Sequence, residues 1–214
     1  MNRWKIIEEK IFIALSAIAT YSLIAVLGLI IVIVFVKGFN ALSLDMVIKT
    51  PKGGYYYGGE GGVLNAIVGS IYIAFGATLI AIVLGMPAAL FLNVHLVRHK
   101  KTQETIRYLL DVLWGIPSIV YGAFGFTLML FFGLNASLLA GIITVALLVT
   151  PIMVRTFDEV LSTIPRGLHE ASLALGSTKA ETSYKVMLKQ GFSGFITAAL
   201  LAFGRGIGDA ASVL

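Results

Sequence analysis

Cysteine is absent from this chain of 214 residues, which excludes disulfides and thiolate metal sites and leaves no sign of the redox compartment. Charge is scarce too. Asp, Glu, Lys and Arg make up 13% of the residues against 58% hydrophobic, whereas soluble domains carry about a quarter charged. Water is therefore not the main solvent. Signatures of catalysis are also missing. No G-x-S-x-G elbow occurs. The GSTK run at Gly176 lacks the earlier glycine and the G-K-[ST] order that wrap phosphates, so no ATP hydrolysis and no bound cofactor are expected of this chain alone. His95 and His99 have i, i+4 spacing, but HLVRH lacks the glutamate of a zincin helix and stands among basic residues; a solvated basic patch is expected there, and no metal site. The net charge of +5 is spread between apolar runs rather than gathered on one face, which argues against nucleic acid as a partner.

Long apolar runs dominate what is present. Ile11 to Val36 is uncharged over 26 residues, more than the roughly 20 that cross a bilayer core. It is too long for a signal h-region and no small-residue cleavage site follows, so it is read as an uncleaved anchor. Further spans are expected at about Leu64 to Val94, Leu109 to Phe132, Ala136 to Val154, and from Phe192 to the end. Pro87, Pro117 and Pro151 fall within these spans, where kinks are tolerated and can leave a cavity between helices. The fold class is thus an all-α integral membrane protein with five helices visible.

Lys and Arg sort these spans into an orientation. Twelve lie before the first helix, in the 95 to 108 connection and in the 155 to 190 segment, and three lie between Lys37 and Asn65. The positive-inside rule then places the N-terminus cytoplasmic. The fifth helix runs outward, and an even total calls for a sixth beyond Leu214. Residues 1–60 read as an anchor helix with an outer loop, and 61–214 as the main transmembrane domain. The outer stretch KTPKGGYYYGGEGG, Lys49 to Gly62, is read as a flexible loop with interfacial tyrosines or as a mouth that touches an external partner.

Within the last span, Arg205 and Asp209 are i, i+4 neighbours able to pair. A charge at membrane depth costs at least about 2.5 to 3.5 kcal/mol on insertion scales, so it faces a partner or an aqueous path. Either the pair fixes packing, or it lines an anion path with Arg205 as ligand, its planar fork matching phosphate or carboxylate oxygens. Gly204 and Gly208 form a small-xxx-small pair that suits close helix packing.

One polar stretch interrupts the apolar pattern: RGLHEASLALGSTKAETSYKVMLKQ, Arg166 to Gln190. Leu168, Ala171, Ser172 and Leu175 share one helical face, while His169, Glu170 and Leu173 point elsewhere. Gly176 suits a helix stop. Thr178 with Glu181 fits a capping box that opens a second helix. Leu173, apolar on the otherwise polar face, can fill a groove in another protein; the other reading is a helix lying on membrane lipid.

The residues Glu170-Ala171-Ser172-Leu-Ala-Leu-Gly176, with Val186 and Leu188, resemble the EAA loop of bacterial ABC-importer permeases. The family has alanine at Ser172, isoleucine at Val186 and proline at Lys189. The resemblance implies a coupling helix that docks on a separate ATPase subunit, with Glu170, Ala171, Ser172 and Gly176 as its docking core and Leu173 added on physical grounds. Four more stretches, GGVLNAIVGSIYIAF (Gly61 to Phe75), IPSIVYGAFG (Ile116 to Gly125), TPIMVRTFDEVLSTIP (Thr150 to Pro165) and GRGIGDA (Gly204 to Ala210), look like the PstA/PstC family of phosphate ABC importer permeases and lean toward PstA. That family usually has Glu where Asp209 stands.

This likeness implies the type I importer transmembrane domain of six helices, in a bacterial or archaeal inner membrane. It also implies two ATPase subunits that use ATP, a second, PstC-like permease and an extracytoplasmic phosphate-binding protein. The expected function is passage of inorganic phosphate. An importer of another oxyanion or small solute stands as the alternative within the class, and an ATP-independent channel or secondary transporter as the one outside it.

Overall fold

The computed structural model describes residues 3–39, 43–51, 61–133 and 137–209. Lys52 to Glu60 of the tyrosine-glycine stretch, the expected helix start at Ala136 and the segment after Asp209 lie outside the described residues. The chain divides into two compact units, Met1–Leu64 and Asn65–Leu214.

In the first unit, α1 (Arg3–Gly38) runs unbroken for 36 residues, about 54 Å at 1.5 Å per residue. From Ile11 to Val36 it is apolar on every side, and nearly all of these side chains are exposed, the pattern of a helix solvated by lipid. The short α2 (Leu44–Ile48) is capped by Ser43, whose hydroxyl accepts from the Met46 N–H at 3.2 Å.

The second unit is a helical bundle built around small side chains. α3 (Leu64–Val94) buries Ala74, Ala77, Ala81 and Ala89 completely and, with the buried Gly85 between the last two, these stand three or four residues apart, so the helix carries a smooth stripe along one face. The stripe lets neighbours come close: Gly85 lies against Met153, and Gly206 against the backbone of Ala74. α6 (Leu138–Thr163) is the most buried element, with Val145, Val149, Met153, Phe157 and Leu161 at i, i+4 intervals facing the core. Against it pack α4 (Lys100–Gly115), α5 (Ser118–Phe131) and α9 (Phe192–Gly208).

The stretch Leu109 to Phe132, expected as one span, is two helices bent by 93°. The break is at Ile116–Pro117. Ile116 adopts φ −70°, ψ 130°, the extended backbone that proline imposes on the residue before it. Proline also lacks the N–H that would reach the Leu113 carbonyl. The Tyr121 hydroxyl donates to that carbonyl instead, at 2.9 Å. Pro117 therefore ends a helix rather than kinking one, whereas Pro87 and Pro151 do lie inside helices.

The same dipeptide acts again at Ile164–Pro165, where Ile164 has φ −68°, ψ 130°. Nothing stops the helix before it, so α6 continues past the expected end at Val154 to Thr163, and Arg155, Asp158 and Glu159 are helical residues, not loop. After Pro165 come α7 (Arg166–Ala174) and α8 (Lys179–Gln190), the latter widening to π-helical turns over Thr182–Met187. α8 then meets α9 at 76° across Gly191, which is pressed against Leu161 and Phe157.

By length and composition α1, α3 and α6 can each cross a membrane, and the two bent pairs bring the number of spans to as many as five among the described residues.

Candidate functional site

Arg205 stands 13 residues into α9, about 20 Å along its axis. Its guanidinium meets the Asp209 carboxylate at 3.3 Å. Asp209, the residue that ends α9, is buried, while the Arg205 side chain is 52% exposed. The i, i+4 pair is thus formed, but it is lopsided: the anion faces inward and the cation outward. Gly204 and Gly208 flank the exposed cation, and among the described residues no atom outside their own helix backbone lies within reach of a Cβ at either. Close packing inside the chain is made by Gly206, against Ala74 and Val145, because the turn of α9 that faces α3 and α6 carries Ala198, Ala202 and Gly206. The expected packing pair is therefore on the open side.

The polar stretch folds as helix, glycine turn, helix. Gly176 has φ +86°, a left-handed conformation that costs other residues a clash with Cβ. The Ser177 N–H reaches the Ser172 carbonyl at 3.2 Å and the Gly176 N–H reaches Leu173 at 3.0 Å, which is a Schellman stop. The capping box is complete: the Thr178 hydroxyl accepts from the Glu181 N–H, and the Glu181 carboxylate accepts from the Thr178 N–H. That backbone donor, with Lys185 at 2.9 Å, holds the Glu181 carboxyl down from 4.5 to about 2.

The faces of α7 differ from expectation. Ser172 is buried, its hydroxyl 3.0 Å from that of Thr182, so it joins α7 to α8 and is withdrawn from any docking surface. Leu173 is half-buried beside it. Leu168, Ala171 and Leu175 are exposed, Leu175 at 88%, and Glu170 is exposed next to them. The half-buried side of α7 is His169, Ser172 and Leu173, because the stretch packs on the polar start of α8 rather than on an apolar core. The most exposed leucine of the stretch is thus Leu175, whereas Leu173 is half-buried.

A charged cluster that periodicity did not signal lies where α3, α4 and α6 meet. Asp158 is fully buried. It accepts from Arg107 through both Nε and Nη2 at 2.8 Å, from the Asn93 amide at 2.7 Å and from Arg155 at 3.0 Å. Arg155 also reaches Asp111 at 2.6 Å and Glu159 at 3.5 Å. Two-pronged arginine–carboxylate contact is the strong, orienting kind of ion pair. Asp158 is 20 residues into α6, about 30 Å along it, so the cluster is at one end of a bilayer-spanning helix. Counted only for membrane orientation, Arg107 and Arg155 hid this role; Arg155 and Asp158 at i, i+3 were the available clue, masked because the helix was expected to stop at Val154. Of the two histidines in HLVRH, His99 is exposed, while His95 is half-buried and stacked on Phe91 at 5.2 Å, so of this pair only His99 is solvated.

Beside the cluster a cavity of about 310 Å³ opens between α4 and α7, lined by Lys100, Glu104, Arg107, Arg166, His169 and Glu170 among others.

Residues 81–214 match the family described as "Binding-protein-dependent transport system inner membrane component". The Phosphate transport system permease protein PstA of Haemophilus influenzae is 33% identical over 212 residues, covering 99% of this chain and 73% of that protein. The Probable ABC transporter permease protein YqgI of Bacillus subtilis is 31% identical over 217 residues, covering 100% of this chain and 71% of that protein. Among solved structures, the chain is similar to one in the inward facing MetNI methionine ABC transporter, with a TM-score of 0.63 at 23% identity over 68% of this chain and 70% of that one; that likeness concerns the fold.

Proposed function

Because this chain belongs to the family of binding-protein-dependent transport system inner membrane components, we propose that it is the membrane-spanning permease subunit of an ATP-driven importer of inorganic phosphate. It is a multi-pass membrane protein and a translocation subunit rather than an enzyme. An ATPase, a partner permease and a binding protein complete such a system. In the finer reading the ATPase is a dimer that binds the ATP, the second permease is PstC-like, and the binding protein delivers phosphate from outside. The count of Lys and Arg supports a cytoplasmic N-terminus.

Arg205 carries this assignment. α9 counts as a membrane span together with α8, and a half-exposed guanidinium about 20 Å along it cannot rest against lipid tails without a cost, about 2.5 to 3.5 kcal/mol at mid-membrane. It therefore faces protein or an aqueous path, and the open glycine flanks at Gly204 and Gly208 leave room for an anion to approach. With Asp209 holding it from behind, Arg205 lowers the barrier for an oxyanion stripped of water. α7 docks on the ATPase through Glu170, Ala171 and Leu175, with Leu168 at the edge and the Gly176 turn setting its direction. The Asp158 cluster binds α3, α4 and α6 into one block, so a push on α7 moves the bundle end as a unit. Two bundle states biased by nucleotide then give alternating access.

The test is radiolabelled phosphate uptake, against sulfate, in cells with or without the intact gene and with Arg205→Ala. Phosphate uptake that needs the gene and collapses in the variant, with the complex still assembled, is the expected result. Sulfate uptake in its place refutes the substrate, and unchanged uptake by Arg205→Ala refutes the path.

A further inference from the structure

The cavity between α4 and α7 is lined by two helical i, i+4 pairs of opposite charge, Lys100 with Glu104 and Arg166 with Glu170. All four side chains are exposed, and among the described residues none of them makes an ion pair or hydrogen bond. Elsewhere the same spacing does close, in Asp45–Lys49 at 2.6 Å and Glu181–Lys185 at 2.9 Å. These four charges are thus left unpaired around a common gap. His169 adds an Nε2 buried without a partner at the same cavity. An anion ligand is disfavoured: Arg107 is engaged by Asp158, and the remaining lysine and arginine are balanced by two glutamates.

The balance of sign instead suits closure of one helix on the other. α7 is tethered to α8 by the Ser172–Thr182 bond and to α6 through Ile164–Pro165, while its α4 side borders open space. We propose that Glu104 with Arg166, and Lys100 with Glu170, form a clasp that closes as α7 moves toward α4 and opens as it retreats. The clasp latches the docked helix to its own bundle at one stage of the transport cycle, and it rests on the reading of α7 as the ATPase-docking helix.

The absence of cysteine makes the test direct. Glu104→Cys with Arg166→Cys gives these 214 residues two thiols with no competitor among them, and the two can be oxidised to a disulfide only when their Cα atoms come within about 7 Å. The measurement is the cross-linking rate in the complete importer, assembled with cysteine-free partner subunits, once without nucleotide and once with ATP and a hydrolysis-deficient ATPase. A rate several-fold higher in one state is expected, because the two Cα atoms come within bridging distance only where α7 lies against α4. Equal rates, or no cross-link in either state, overturn the clasp.

A second arm exchanges the two charges. Glu104→Arg and Arg166→Glu singly should uncouple ATP hydrolysis from binding-protein stimulation with the ATPase still bound, and the double exchange should restore it. A double variant no better than the singles overturns the proposal. The cross-linking arm does not use the transported anion, so its result stands apart from the identity of the cargo, and retention of the ATPase in the charge-exchange arm separates the clasp from docking.

Discussion

Removing the Asp158 carboxylate should be the most damaging single change at the bundle end. In Asp158→Ala, Arg107 loses both of its 2.8 Å carboxylate bonds and Asn93 loses its 2.7 Å bond. Arg155 loses its 3.0 Å contact but keeps Asp111 and Glu159. Breaking a buried pair from one side costs about 3–5 kcal/mol, because the remaining charge stays desolvated. Arg107 is 27% exposed, so water recovers part of this, and the low end, about 3 kcal/mol, applies. Asp158→Asn keeps the shape and one acceptor and should cost about 2 kcal/mol, the weight of hydrogen bonds to a charged group. Asp111→Asn removes a half-exposed partner and should cost about 0.5 kcal/mol.

Thermal unfolding of the whole complex, followed by tryptophan fluorescence at fixed scan rate, ranks the three, since membrane complexes unfold irreversibly and only the order is transferable. If Asp158→Ala and Asp111→Asn melt together, the cluster does not hold α3, α4 and α6 to one another and the reasoning fails.

Two further outcomes concern the loop. Leu175→Ser should release the ATPase from the detergent-solubilised complex while Leu173→Ser retains it, as co-purification can show; the reverse result would return the groove-filling role to Leu173. The Glu181 carboxyl is held down from 4.5 to about 2, so its contribution to the capped turn is fully present above about pH 4.5 and lost as pH falls toward 2. Amide exchange across residues 178–187 should therefore speed up over that window, and Thr178→Ala, which costs the turn about 1 kcal/mol at neutral pH, should flatten the pH dependence; a variant with the same profile as the parent would show that the cap does not set it.

The sequence by itself determined whatever depends on neighbours within a turn or two. Membrane residence follows from apolar runs that water cannot solvate. The Gly176 stop, the Thr178–Glu181 box and the Arg205–Asp209 pair follow because both partners sit within five residues on a known helical spacing. Tertiary structure decided which of those features meet the core. It turned Ser172 inward and Leu175 outward, because α7 packs on the polar start of α8. It put Gly206 rather than Gly204 or Gly208 against α3, because the phase of α9 is set by contact with Ala74 and Val145. It also gathered Asn93, Arg107 and Asp158, the asparagine 65 and the arginine 51 residues from the aspartate, since a desolvated carboxylate takes whichever donors the packed helices bring to it, and no local spacing records that choice.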